Sequence, residues 1–171
     1  ISRVIQTLRA GPSVAGIAIS PDNRLVLIAS SGDESVTVYG LENRRLVRRG
    51  LLVFAKGMGP ADVMFTHDGG TALVTGRYNS DIAVLSVRGG SVTDTGRRFR
   101  GGRGPYSGAI TPDGKYILTG NLQGAFPPPD AAPPPPPAEG RGRGGRGGPP
   151  SRSTLSLTEI ATGRVAAQEQ V

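Results

Sequence analysis

Cysteine and tryptophan are both absent from this chain of 171 residues. Without thiols there is no disulfide, no cysteine–zinc site and no thiol nucleophile. The single histidine, His67, cannot build a His-rich metal site. Aromatic residues make up only 5% and hydrophobic residues 36% of the chain. No apolar run approaches the ~18 residues that a membrane helix needs, so no membrane span is expected. The longest runs, such as Leu51 to Ala55, suit buried strands. Nothing resembles a phosphate loop, a serine elbow or a metal-binding motif, and no cofactor or metal is expected. Lysine is scarce too. Lys56 and Lys115 are the only two, so the net charge of +7 is carried by arginine. One reading is an anionic partner, such as a phosphorylated sugar, nucleic acid or acidic lipid. The plainer reading is a solvated, arginine-rich surface that keeps the chain soluble.

What the chain has in quantity is glycine (27) and proline (15), which point to many turns and to some low-complexity sequence. Three segments are copies of one another: GIAISPDNRLVLIAS (16–30), DVMFTHDGGTALVTG (62–76) and SGAITPDGKYILTGN (107–121). Their turn aspartates Asp22, Asp68 and Asp113 lie 46 and 45 residues apart. A period in the forties, built of short strands without helices, is the signature of propeller blades. In each copy an apolar strand leads to a tight turn: SPDN, THDG or TPDG. Asp followed by Asn or Gly favours such a turn, because the carboxylate bonds local backbone and the next residue tolerates positive φ. A second strand follows, then a third that alternates (Val36–Tyr39, Ile82–Leu85, Leu155–Thr158), then a more polar fourth. The first two strands are expected to be apolar on both faces, as when neighbouring blades sandwich them. The polar fourth suits an outer edge.

The sequence therefore predicts an all-β fold, a single propeller segment over 1–171. It would hold about three four-stranded antiparallel blades at 14–54, 60–100 and 105–171, with 1–10 as the outer strand of a preceding blade. Propellers need about four to eight blades to close. Three imply either part of a longer ring, about half of one, or an open arc completed by a second copy.

These motifs carry a family resemblance. GIAISPDNRLVLIAS…SVTVYGL and the tail TLSLTEIATGRV resemble the YVTN-type β-propeller repeat, also seen in lactonase-like propellers. The likeness covers nearly the whole chain and speaks to fold more than to function, since propellers host many unrelated activities. It implies an extracytoplasmic location, periplasmic or extracellular, because many such proteins are exported.

Aligning the blades leaves residues 124–150 as an insertion, GAFPPPDAAPPPPPAEGRGRGGRGGPP. Five consecutive prolines favour polyproline II, and the Gly/Arg stretch after them should be flexible. Arg141, Arg143 and Arg146 could meet RNA phosphates and stack on bases. The alternative is a tolerated hairpin insertion, which costs little stability.

In a propeller blade the loop joining strands two and three lies on the same face as the loop leading into strand one. By fold-level analogy that face commonly holds the ligand site. Here it would gather Ser31–Glu34, Arg77–Ser80 and Asn121–Gln123, with Lys56, Gly57, Met58, Arg100, Arg103 and Tyr106 from the lead-in loops. The candidate ligand-binding set is Arg77, Tyr78, Asn79, Arg103 and Asn121. Arginine grips a carboxylate or phosphate bidentately, while Asn and Tyr orient hydroxyls. Ordinary loop polarity is the competing account. His67 takes the turn position of Pro21 and Pro112, on the opposite face, which argues against a role as general base. Arg44, Arg45, Arg48 and Arg49 cluster on an outer strand and serve best as a guard against edge-to-edge pairing.

Three functions fit these residues. The first is a non-catalytic scaffold binding a protein or small anionic ligand on the loop face. The second is a lactonase-like hydrolase using Arg77 and Arg103 on a sugar lactone, with no catalytic residue assignable from sequence. The third is nucleic-acid binding through the Arg/Gly loop.

Overall fold

A computed structural model describes residues 3–123 and 153–171. Twelve strands form three separate four-stranded antiparallel sheets, and no helix occurs among the described residues. The first sheet holds β1 (Val14–Ile19), β2 (Leu25–Ser30), β3 (Ser35–Glu42) and β4 (Arg45–Val53). The second holds β5 (Pro60–Phe65), β6 (Thr71–Gly76), β7 (Asp81–Arg88) and β8 (Ser91–Arg100). The third holds β9 (Pro105–Ile110), β10 (Tyr116–Asn121), β11 (Thr154–Glu159) and β12 (Val165–Gln170). Within each sheet the strands pair in chain order, as blades 1, 2 and 3 of a propeller arc. The insertion and its arginines Arg141, Arg143 and Arg146 lie outside the described residues.

The repeated turns form as their chemistry dictates. The hydroxyls of Ser20, Thr66 and Thr111 each donate to the turn aspartate at 2.6 Å. The carboxylates of Asp22, Asp68 and Asp113 also accept the N–H two residues on, from Arg24, Gly70 and Lys115. Asn23, Gly69 and Gly114 carry the positive φ that closes each turn, at 58°, 70° and 71°. These bonds favour the charged carboxylates and lower the pKa of all three from the ordinary aspartate value.

Blades pack face to face, and always in the same sense. The forward face of blade 1 (Leu25, Leu27, Ala29, Val36, Val38) meets the rear face of blade 2 (Val63, Ala72, Val74, Ala83, Leu85) in one buried cluster. The forward face of blade 2 (Leu73, Ile82, Val84, Phe99) then meets Ile110 and Ile117 on the rear face of blade 3. This second joint differs from expectation, because the rear face of blade 3 is not uniformly apolar. Thr119, Asn121, Thr154, Ser156 and Thr158 are all buried there. Hydrogen bonds across the joint satisfy part of that polarity: Thr119 donates to the Gly101 carbonyl and Thr158 to the Arg100 carbonyl.

Residues 3–10 join no ladder. They cross the outer part of the rear face of blade 1, where the Gln6 amide exchanges two hydrogen bonds with the Leu46 backbone. The Tyr39 hydroxyl donates to the Arg9 carbonyl at 3.2 Å. A fourth strand becomes a strand only when it has a third to pair with.

Candidate functional site

Three loop connections on one face follow a single plan. Where the second strand of a blade ends, its next two N–H groups bond carbonyls of the lead-in loop. Ser31 and Gly32 donate to Ser13 and Pro12, Arg77 and Tyr78 to Gly59 and Met58, and Leu122 and Gln123 to Gly104 and Arg103. Side chains then tie the first two loops to the following blade. The Glu34 carboxylate accepts the Gly57 and Gly59 N–H groups at 2.9 and 2.6 Å. The Ser80 hydroxyl accepts the Gly104 N–H at 3.1 Å. The loop face is thus a bonded rim spanning blade boundaries.

On this rim the Arg77 guanidinium lies 5.4 Å from the ring centres of both Tyr78 and Tyr106. Tyr78 follows Arg77 in the same loop. Tyr106 comes from the first strand of the next blade. Gly59, at φ 60°, lies beneath the Tyr78 ring, where a Cβ would collide with it. Both tyrosines are exposed, and Arg77 is half-buried between them. At that distance the guanidinium is within cation–π reach of both rings.

The other candidates lie around this cluster in different states. Asn79 binds locally: its Oδ1 accepts the Asp81 N–H, and its Nδ2 donates to the Asp81 carboxylate at 3.0 Å. Arg103 is half-buried in the lead-in loop of blade 3, its carbonyl engaged by Gln123. Asn121 is 2% exposed and turned into the blade 2–3 joint, donating to Thr154 and Ser156. It braces the rim rather than presenting an amide to solvent. Met58, placed on the face by sequence, packs into the core instead. Sequence reasoning put Tyr106 on this face but gave it no role. Its pairing with Arg77 has a faint signal, the exposed aromatic after the Gly104-Pro105 step.

His67 lies on the opposite face, its Nε2 3.0 Å from the Thr111 carbonyl. A groove of about 510 Å³ opens there between Pro21, Asp22, Arg24, Asp68 and Val87. Its carboxylates are already engaged in their own turns. No group of three or more His, Asp or Glu side chains suited to a metal ion occurs among the described residues.

Neither a family model nor a curated protein matches the sequence. Solved structures do. Putative 6-phosphogluconolactonases from Bacteroides uniformis and Bacteroides fragilis both superpose with a TM-score of 0.66 over 92% of this chain, at 12% and 14% identity. The fold they share with this chain is a β-propeller arc. The chain spans only 41% and 42% of those two proteins. The arc also superposes on hydrazine synthase from Kuenenia stuttgartiensis, with a TM-score of 0.64 at 17% identity, covering 92% of this chain and 37% of that one. Proteins named for such different chemistry share the arc, so the likeness speaks of architecture alone.

Proposed function

We propose that the loop face is a binding surface for a small anionic ligand of the acidic or phosphorylated sugar class, with Arg77 as its charge anchor. The observation that carries this reading is the placement of Arg77 between two exposed tyrosine rings. Cation–π contact engages the charge of a guanidinium and not its N–H groups, which remain to meet a carboxylate or phosphate. The rings add apolar surface against which sugar C–H faces rest, and their hydroxyls add donors. Arg103, half-buried on the neighbouring loop, adds positive charge to this face, as does exposed Lys56. The scaffold reading asks no chemistry of the arc beyond binding.

The names of the two lactonase-like neighbours favour a second reading, hydrolysis of a phosphorylated sugar lactone. Arg77 would then bind the phosphate or polarise the lactone carbonyl. His67, on the opposite face, is not available as its base. A base would have to come from outside the residues described. In this reading the arc supplies binding, and hydrolysis belongs to a larger assembly.

One experiment separates the two. The chain has no tryptophan, and Tyr78 and Tyr106 are two of its four tyrosines, so intrinsic tyrosine fluorescence includes a large share from this site. Titration with 6-phosphogluconate should change it in a saturable, salt-sensitive way, and glucose should not. Arg77→Ala should abolish the response while Arg45→Ala, on the outer strand β4, keeps it. No saturable response at millimolar ligand would end the proposal. Turnover of the lactone above the spontaneous rate would favour the hydrolase over the scaffold.

A further inference from the structure

The three blades share one plan, so a residue that departs from the plan is not there to satisfy it. Four such departures meet at one spot. Each innermost strand carries one extra residue near its loop-face end, a β-bulge. In blade 2 that residue is Ala61, and in blade 3 it is Tyr106. A bulge re-aims a side chain, and only blade 3 uses it for an aromatic ring, the one that reaches Arg77. Arg77 and Tyr78 stand where blade 1 has Ser31 and Gly32 and blade 3 has Leu122 and Gln123. The fourth departure is Asp62, where blade 1 has Gly16 and blade 3 has Ser107. Two blades build this part of the inner edge without an acid.

Asp62 sits just below the Arg77 cluster. Its N–H donates to the Thr75 hydroxyl at 2.9 Å, and Arg77 follows Thr75 by two residues, roughly 7 Å along the chain. Its Oδ2 accepts the Gly108 N–H at 3.0 Å, and Tyr106 precedes Gly108 by two residues on the same strand. Its Oδ1 accepts the Val63 N–H at 2.9 Å. Gly16 of blade 1 makes room on the other side, since a Cβ there would lie 2.7 Å from that same Oδ1. Strands β5 and β9 are each the edge of their sheet. The carboxylate is therefore clamped at the inner edge where blades 1, 2 and 3 meet.

We propose that Asp62 recognises ligand hydroxyls at the loop-face site, so that the site selects polyhydroxylated anions over plain anions of the same length and charge. This rests on the reading of Arg77 as the charge anchor. The two backbone bonds take one lone pair on each carboxylate oxygen. An ionised carboxylate offers about four such positions, so each oxygen keeps one. Two oxygens with one free position apiece match two adjacent hydroxyls of a sugar chain. Hydrogen bonds to a charged acceptor are stronger than neutral ones. Asp62 is half-buried, so its carboxylate is partly shielded from competing water yet open to a ligand. Its clamp fixes the acceptor in advance, so little freedom is lost on binding. The anionic end of the ligand stays with Arg77, and its neutral hydroxylated part meets the carboxylate.

The test is calorimetric titration of the full chain with 6-phosphogluconate and with 6-phosphohexanoate, at mildly alkaline pH where the carboxylate is charged. The two ligands share chain length and both anionic groups, and only the first carries hydroxyls. The parent should bind 6-phosphogluconate about tenfold more tightly, the size of one hydrogen bond to a charged group. Asp62→Asn and Asp62→Ser should each lose most of that ratio. Serine already stands at this position in blade 3, so the second variant uses a residue type that the inner edge accepts. Circular dichroism confirms the strand content of both. A carboxylate that only ties the inner edges together would, once removed, weaken both ligands alike and leave their ratio unchanged. A parent that binds the two ligands equally, or variants that keep the parent's ratio, would overturn this inference and leave Arg77 as an anion anchor. If neither ligand binds the parent, the loop-face reading itself fails and this inference falls with it.

Discussion

Glu34 and Ser80 occupy the same position one blade apart, at φ 57° and 64°, and each accepts backbone N–H groups from the lead-in loop of the following blade. The residue types differ, but the task is the same. A loop that must cross a blade boundary leaves N–H groups short of ladder partners, and a side chain from the previous blade supplies the acceptor.

That relation can be measured. Glu34→Ala removes the acceptor of two N–H groups, Gly57 and Gly59. The Gly57 N–H is exposed and water replaces its acceptor, so the loss comes from stranding the buried Gly59 N–H, at about 1–3 kcal/mol. Ser80→Ala likewise strands one buried donor, Gly104, and should cost about as much. Urea unfolding of both variants tests the comparison. A Glu34→Ala midpoint equal to the parent's would mean that water satisfies the Gly59 N–H as well as the carboxylate does.

Asp62 offers a pH signature of its own. Its carboxylate is partly buried between the innermost strands, accepting N–H groups from Val63 at 2.9 Å and from Gly108 of the next blade at 3.0 Å. Burial dominates and raises its pKa above the ordinary aspartate value, with the two N–H bonds opposing it. A raised folded-state pKa means that the folded chain holds this proton more tightly than the unfolded chain does. This group's contribution therefore improves as pH falls through the raised pKa, and levels off below the unfolded value. Asp22, Asp68 and Asp113 run the other way. Their lowered pKa gives a contribution present above the unfolded value and lost as pH falls through the folded one. The stability of the parent minus that of Asp62→Asn should rise as pH drops toward the ordinary aspartate range. A difference independent of pH would show that Asp62 titrates alike in both states.

Much of this fold was readable in advance, and the reasons are local. The Asp22, Asp68 and Asp113 turns, the 45–46-residue spacing and the alternation of the third strands each depend on residues close in sequence. What escaped depends on neighbouring blades. Asn121 reads as a loop amide at the end of a strand, but the polar rear face of blade 3 draws it into the joint. Met58 sits in a Gly-rich loop and still packs into the core. The partnership of Arg77 with Tyr106 spans two blades, and no periodicity marks it. Asp62 falls at the repeat position of Gly16 and Ser107, so its acid marks an exception that only the packing explains.

The tyrosine flanks of Arg77 should be separable from its charge. Each ring contributes roughly 0.5–1 kcal/mol to holding the guanidinium at an exposed site. Tyr106→Ala should then weaken binding of an anionic sugar by roughly two- to fivefold, since about 1.4 kcal/mol corresponds to tenfold. Tyr106→Phe keeps the ring face and should bind nearly as well as the parent. Calorimetric titration compares them. If Tyr106→Phe falls as far as Tyr106→Ala, the hydroxyl rather than the ring face is what matters.

Position 114 isolates the backbone cost of the repeated turn. Gly114 has φ 71°, and a Cβ there would meet nothing within 4 Å, so substitution is opposed by conformation and not by crowding. Blade 1 already carries Asn23 at this turn position with φ 58°. Asparagine visits the left-handed region readily, whereas a β-branched residue does so only under strain. Gly114→Asn should therefore leave stability almost unchanged. Gly114→Val should cost about 1–2 kcal/mol in thermal or urea unfolding. Equal losses in the two variants would mean that glycine's freedom, and not its sign of φ, is what the turn requires. In that case the equivalence of Asn23 with Gly69 and Gly114 would be one of sequence position only.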